Sequence, residues 1–157
     1  MKSLASKAGF SLVEIMIVVS IIGILMVVAF PAFQKARLTS QITRIASDLS
    51  TFSDAFQLYA LQRGNYPVDT HDALPPGMTE YIKQNHWDAD VFGGRYNWEG
   101  PSWGEGGSYA YAGISLFGTT ADTSTLEALD SEIDNGNLSS GWFRQTPNGR
   151  YTLIIEE

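Results

Sequence analysis

Hydrophobic and polar positions divide the chain into three stretches. From residue 10 to residue 33 nearly every side chain is apolar, and Glu14 is the only charged one. As a helix these 24 positions would extend ~36 Å at 1.5 Å per residue, enough to cross the ~30 Å hydrocarbon core of a bilayer. Beyond Pro31 the pattern becomes amphipathic: Leu38, Ile42, Ile45, Leu49, Phe52, Phe56 and Tyr59 follow one another in steps of four and three. Such a stripe predicts a helical second half at 34–63 with one face laid against a sheet. Arg37, Arg44, Asp48 and Asp54 form a thin polar face without the heptad charge pairing of a coiled coil. Gly64 is placed to cap this helix, and Pro67 prevents its resumption.

The third stretch, 64–157, changes character again, with short aromatic runs separated by glycine and proline. Leu74-Pro75-Pro76-Gly77 punctuates the chain before a predicted short helix at 78–84. Phe92-Gly93-Gly94-Arg95-Tyr96-Asn97-Trp98 reads as a glycine turn entering an aromatic strand, and 109–117 as a second strand. Ser124-Thr125-Leu126-Glu127 has the form of a capping box opening a helix at 125–134, with Leu126, Leu129 and Ile133 on one face and Gly136 past its end. Residues 141–146 and 150–156 flank Pro147-Asn148-Gly149 and predict a closing hairpin with Asn-Gly in the turn. The expected fold is α+β: a long N-terminal α-helix, its first half membrane-spanning, packed against a small antiparallel β-sheet head.

Charge sharpens this division. The chain carries a formal net charge of −7, and residues 64–157 hold fourteen acidic side chains against Lys83, Arg95, Arg144 and Arg150. So acidic a head disfavours nucleic acid as a partner. There is no cysteine, so no disulfide or thiolate-held zinc supports the fold, and the redox compartment is left open. Lys2 and Lys7 precede the apolar stretch while Lys35, Arg37 and Arg44 follow it, so the charge rule leaves its orientation undecided.

An apolar run of this length exceeds the ~7–15 residues of a secretory signal and passes directly into more helix. Glu14 is the residue in it that needs an explanation, because an acid within a spanning helix is costly and normally marks a partner. Two readings stand on the residues alone: a carboxylate awaiting a cation, or one near enough to the interface to reach water or stay protonated. Gly23 and Pro31 interrupt the same run, and Pro31 removes the amide hydrogen bond to the carbonyl of Val27.

Around Glu14 the order Lys7-Ala8-Gly9-Phe10-Ser11-Leu12-Val13-Glu14 closely resembles the prepilin signature of type IV pilins and type II secretion pseudopilins. The resemblance implies a leader, 1–9, removed by an inner-membrane prepilin peptidase between Gly9 and Phe10, with N-methylation of the new Phe10 amine. It implies a filament-core helix half at 10–33, an amphipathic half at 34–63 and a globular head at 64–157. Glu14 becomes the fifth residue of the mature chain, pairing with the N-terminal amine of a neighbouring subunit; closure onto its own chain's amine is the rival, since residues four apart share a helix face. The stretch between Gly23 and Pro31 is either an ordinary kink or, as the resemblance implies, one that melts in the fibre. Gly64-Asn65-Tyr66-Pro67 resembles the G-x-Y-P of pseudopilins, and Phe92-Gly93-Gly94-Arg95-Tyr96 their aromatic-glycine segment.

The function implied is that of a structural subunit, a pilin or pseudopilin. It would be processed, inserted once through the bacterial inner membrane with its head in the periplasm, and polymerised in the periplasm or at the cell surface. Its partners would be the peptidase, identical or related subunits, the inner-membrane assembly platform and the lipid bilayer. The alternative is a low-copy, membrane-tethered adhesive minor pilin, for which Trp98, Trp103, Tyr109 and Tyr111 offer stacking surfaces if they are not core anchors. An anchored enzyme is the remote third reading: His71 and His86 fit no zinc or nucleophile spacing, and there is no G-x-S-x-G motif. No cofactor is expected. Pseudopilins often hold calcium in a C-terminal loop, which nominates Asp130, Glu132 and Asp134, but the following glycine falls one place late for a calcium loop and a helix would scatter the three carboxylates.

Overall fold

The computed structural model describes residues 9–157, so the expected leader, apart from Gly9, lies outside the described residues. The chain forms two compact units, Met1–Ser40 and Gln41–Glu157. α1 (Leu12–Arg63) opens at Ser11, whose carbonyl accepts from the amides of Glu14 and Ile15. The backbone stays helical through Gly23 and Pro31. Ser20, a polar residue in the apolar stretch, is satisfied locally by donating its hydroxyl to the carbonyl of Met16 at 2.7 Å.

In the second unit the buried side chains of α1 are Ile42, Ile45, Asp48, Leu49, Phe52, Phe56 and Tyr59. This is the expected stripe, shifted so that Leu38 is exposed and Asp48 is inside. Assigning Asp48 to the polar face is thus corrected. It sits three residues after Ile45 and four before Phe52, a spacing that places it on the inner face. Gly64 follows the helix at φ 83°, its amide bonded to the carbonyl of Ala60.

Four antiparallel strands lie in the order β1-β2-β4-β3: β1 (Arg95–Glu99), β2 (Ala112–Phe117), β3 (Phe143–Gln145) and β4 (Tyr151–Glu156). Tyr96 pairs with Leu116 and Trp98 with Ile114. β2 starts at Ala112, later than the expected 109, and its pairing with β4 shifts register between Ala112 and Gly113. A Cβ on Gly113 would lie 2.7 Å from the Thr152 methyl, so the neighbouring strand approaches too closely for any other residue.

Tyr96 and Trp98 point at α1. Trp98 stacks on Phe56 with ring centroids 3.8 Å apart and planes 4° off parallel, while Tyr96 meets Phe52 edge-on at 5.0 Å. The aromatic strand is entered through a two-residue turn, Val91 to Gly94, with Phe92 at φ 51° and Gly93 at φ 79°. Positive φ at both central positions matches the right-handed strand twist.

Two further expectations need correction. The helix predicted at 78–84 is split into a 3₁₀ turn, Met78–Glu80, and α2 (Gln84–Trp87), because Lys83 is extended at φ −70°, ψ 132°. This break lets Met78, Ile82 and Trp87 all reach the core, which one helix through positions four and then five apart would not allow. α3 (Thr123–Ile133) is capped by Asp122, not Ser124: the Asp122 carboxylate accepts from the Thr125 amide at 2.8 Å and the Ser124 hydroxyl at 3.1 Å. Hydrogen bonds from Thr125 and then Ser124 hold that carboxyl below the usual range. The β3–β4 hairpin closes through the expected Pro147-Asn148-Gly149, with the Gly149 amide bonded to the Thr146 carbonyl and Gly149 at φ 83°, so Pro147 opens the turn and Gly149 supplies the left-handed position.

Candidate functional site

The first unit holds the residues on which processing and assembly would turn. Gly9 and Phe10 precede the helix, and Phe10 is 81% exposed. A Cβ on Gly9 would meet nothing within 4 Å, so no packing within the chain requires glycine there. Every large apolar side chain from Phe10 to Phe33 that can be compared is exposed, including Val13, Ile17, Ile21, Leu25, Val28 and Phe30. α1 is the single candidate span among the described residues, and none of its most apolar window is buried.

Glu14 occupies the first turn of α1, where a carboxylate also suits the helix dipole. One of its oxygens accepts from the Ser11 amide at 3.4 Å, half of a capping box. That distance is at the outer limit of a hydrogen bond, so the contact holds the carboxylate loosely and a closer cation would displace it. Ser11 is the residue that the sequence reading passed over; Ser-x-x-Glu at 11–14 was its legible signal.

In the second unit the main polar constellation centres on Asp48. One oxygen accepts from Arg44 at 2.9 Å and from the Tyr96 hydroxyl at 2.9 Å; the other lies 2.6 Å from His86 Nε2. Arg44 also donates to the carbonyl of Asp90 at 2.6 Å, tying α1 to the turn before β1. Burial and the adjoining Asp48 carboxylate push the Tyr96 hydroxyl pKa far up, so it stays a donor. A second buried carboxylate, Glu99 at the end of β1, accepts from Tyr111, Thr152, Asn148 and Arg150. Both carboxylates are surrounded by donors, which is the arrangement of a structural tie.

The three acidic residues at the end of α3 point in different directions. Asp130 is buried, with neither oxygen in a hydrogen bond of good geometry. Burial pushes its carboxyl pKa up, and the charge of Asp134 adds to that shift. The backbone amides of 135–137 turn toward it and act the other way. Asp134 instead accepts from the Trp142 amide at 2.6 Å, and Glu132 faces solvent. Calcium needs six to eight oxygens, and among the described residues no three acidic or histidine side chains converge on a metal position.

The aromatic residues separate. Trp98 belongs to the core and Tyr111 is almost fully buried, bonded to Glu99; Tyr109 is half-buried, and Trp103 is exposed. Trp142, which was not singled out from the sequence, is more exposed than Trp103.

Comparison with known proteins adds independent weight. The family model described as the prokaryotic N-terminal methylation motif matches residues 4–30. The type IV major alpha-pilin of Moraxella bovis is 43% identical over 63 residues, covering 40% of this chain and 39% of that protein. The chain thus spans about two fifths of the pilin's length. The type II secretion system core protein G of Klebsiella michiganensis is 27% identical over 145 residues, covering 85% of this chain and 96% of that protein, and its Escherichia coli counterpart is 28% identical over 120 residues. No solved structure matches the chain. The chain is thus similar to type IV pilins over a processing motif and some sixty residues, and to a type II secretion core protein over most of its length.

Proposed function

We propose that the chain is a filament subunit of the core protein G kind, made as a precursor and polymerised after processing. Prepilin peptidase cuts between Gly9 and Phe10 and methylates the new Phe10 amine. Residues 10–33 then hold the protein once through the bacterial inner membrane with its head in the periplasm, until the assembly platform draws it into the fibre. The observation that carries this reading is an apolar helix half with no cover of its own and one carboxylate, Glu14, near its end. In lipid that surface is satisfied, and in a fibre the same surface is satisfied by other copies.

Two details support the processing step. The bond after Gly9 is exposed, and glycine there answers no need of the chain itself, so its requirement lies with an external reader of the motif. The loosely held Glu14 carboxylate is free to pair with the Phe10 amine of a neighbour; in a low-dielectric setting a subunit docked out of register would leave both charges unpaired. Similarity over nearly the whole of core protein G, against two fifths of a pilin, favours the secretion type over the pilus type.

Glu14→Ala tests the assembly role. In a host with peptidase and assembly platform, sheared filaments from this variant are expected to fall more than tenfold while the chain is still cut and still held in the membrane. Filaments at wild-type yield would remove Glu14 from the mechanism.

A further inference from the structure

The second unit carries an open groove of about 450 Å³ beside α1. One wall is α1 itself at Ala46, Ser50 and Ser53, whose small side chains leave the space open; the floor includes Ile133 and Leu153, and Trp142 stands at the side. Asp54 and Glu132 line it as well. Among the described residues neither carboxylate has an ion-pair partner. A neighbouring groove of about 390 Å³ shares Gln57 and Ile155 with the first and ends at Trp103. The lining mixes apolar side chains with two carboxylates, and it repels anionic lipid or nucleic acid.

The complementary surface is present on the same chain. Phe30, Phe33 and Leu38 are exposed, and interleaved with them are Lys35 and Arg37, which make no ion pair among the described residues. Of the four basic residues of the head, Arg95, Arg144 and Arg150 already face carboxylates, and Lys83 stands beside the buried Ile82 with no exposed apolar neighbour in sequence. Residues 30–38 therefore combine unpaired positive charge with large exposed apolar side chains, the inverse of the groove.

We propose that the groove receives residues 30–38 of a second copy of the chain, with Arg37, which follows Phe30 and Phe33 along one helix face in steps of three and four, meeting Asp54 and Glu132. The apolar side chains fill the floor in the manner of a helix laid in a groove, and the charges set which part of the helix docks. The contact rests on the filament reading above and adds a head surface to an assembly otherwise described through the N-terminal helix.

The natural absence of cysteine makes the test free of background. The full chain carrying Ser50→Cys and Gln34→Cys together, assembled in a host with peptidase and platform and mildly oxidised, is expected to give a ladder of disulfide-linked dimers and higher species, with neither single variant doing so. Filaments in wild-type amount without a ladder would overturn the contact and leave the filament reading standing. If the wild-type chain makes no filament under these conditions, both are overturned. Should the cysteines themselves block assembly, charge exchange decides: Asp54→Lys with Glu132→Lys is expected to lower filament yield about fivefold, and adding Arg37→Glu to restore most of it. No loss, or a loss that the second exchange leaves in place, overturns the contact.

Discussion

The large apolar side chains of the two halves of α1 meet opposite fates. Before Ser40 the large apolar side chains are all exposed, whereas from Ile42 onward a stripe of them is buried against aromatic strands of the same chain. Apolar character alone does not decide which of these side chains is buried; the availability of a partner within the chain does. The second half is satisfied on folding and works as the backbone of the head. The first half has no cover from the chain, and Gly9, Phe10 and Glu14 lie at or just before its start.

Removing the first half gives the largest expected effect. A chain beginning at Gln41 is expected to stay soluble without detergent and to melt cooperatively, while the full chain partitions into membranes or detergent. Aggregation of the shortened chain would mean that the head depends on the first half. A pair of substitutions sharpens the contrast at single residues. Asp48→Ala strands Arg44, His86 and Tyr96, and is expected to cost the head about 3 kcal/mol in urea unfolding. Leu25→Ala, equally apolar in its setting but exposed, should change head stability by less than about 0.5 kcal/mol.

A smaller effect is expected at Asp130. Its folded pKa is raised, so its contribution is fully present below the unfolded carboxylate value and is lost as pH rises through the folded value. Asp130→Asn should raise the melting temperature by a few degrees at pH 7, and the wild type should close the gap as pH falls toward about 4. Equal melting at pH 7 would show that the amides of 135–137 already offset the burial. The smallest effect is expected of calcium: a millimolar addition should leave the melting temperature of the wild type unchanged, and a rise that depends on ion concentration would reveal a site that binds the folded state.

The extent to which the sequence could be read follows the same contrast. Long periodic stretches are legible because many residues vote together: the apolar run, the step-of-four-and-three stripe and the aromatic strand after Gly94 all lie where their pattern places them. Local competition is what escapes. Ser124 and Glu127 fit a capping box, yet Asp122 two residues earlier is the stronger acceptor and sets the helix start. The 78–84 segment reads as one helix until Trp87 is known to need the core. Asp48 looks like surface because its partners, His86 and Tyr96, are some forty residues away in sequence. At the candidate site, Ser11 was legible through its spacing to Glu14, whereas the groove at Trp142 and Glu132 exists only once α1, α3 and β4 are folded together.

The most direct test of the central claim is intact-mass and N-terminal analysis of the chain purified from membranes of a host with prepilin peptidase, beside a host lacking it. A mature chain beginning at methylated Phe10 only where the peptidase is present is the predicted result. A chain still beginning at Met1 in both hosts, or cut near Ala32, would contradict it.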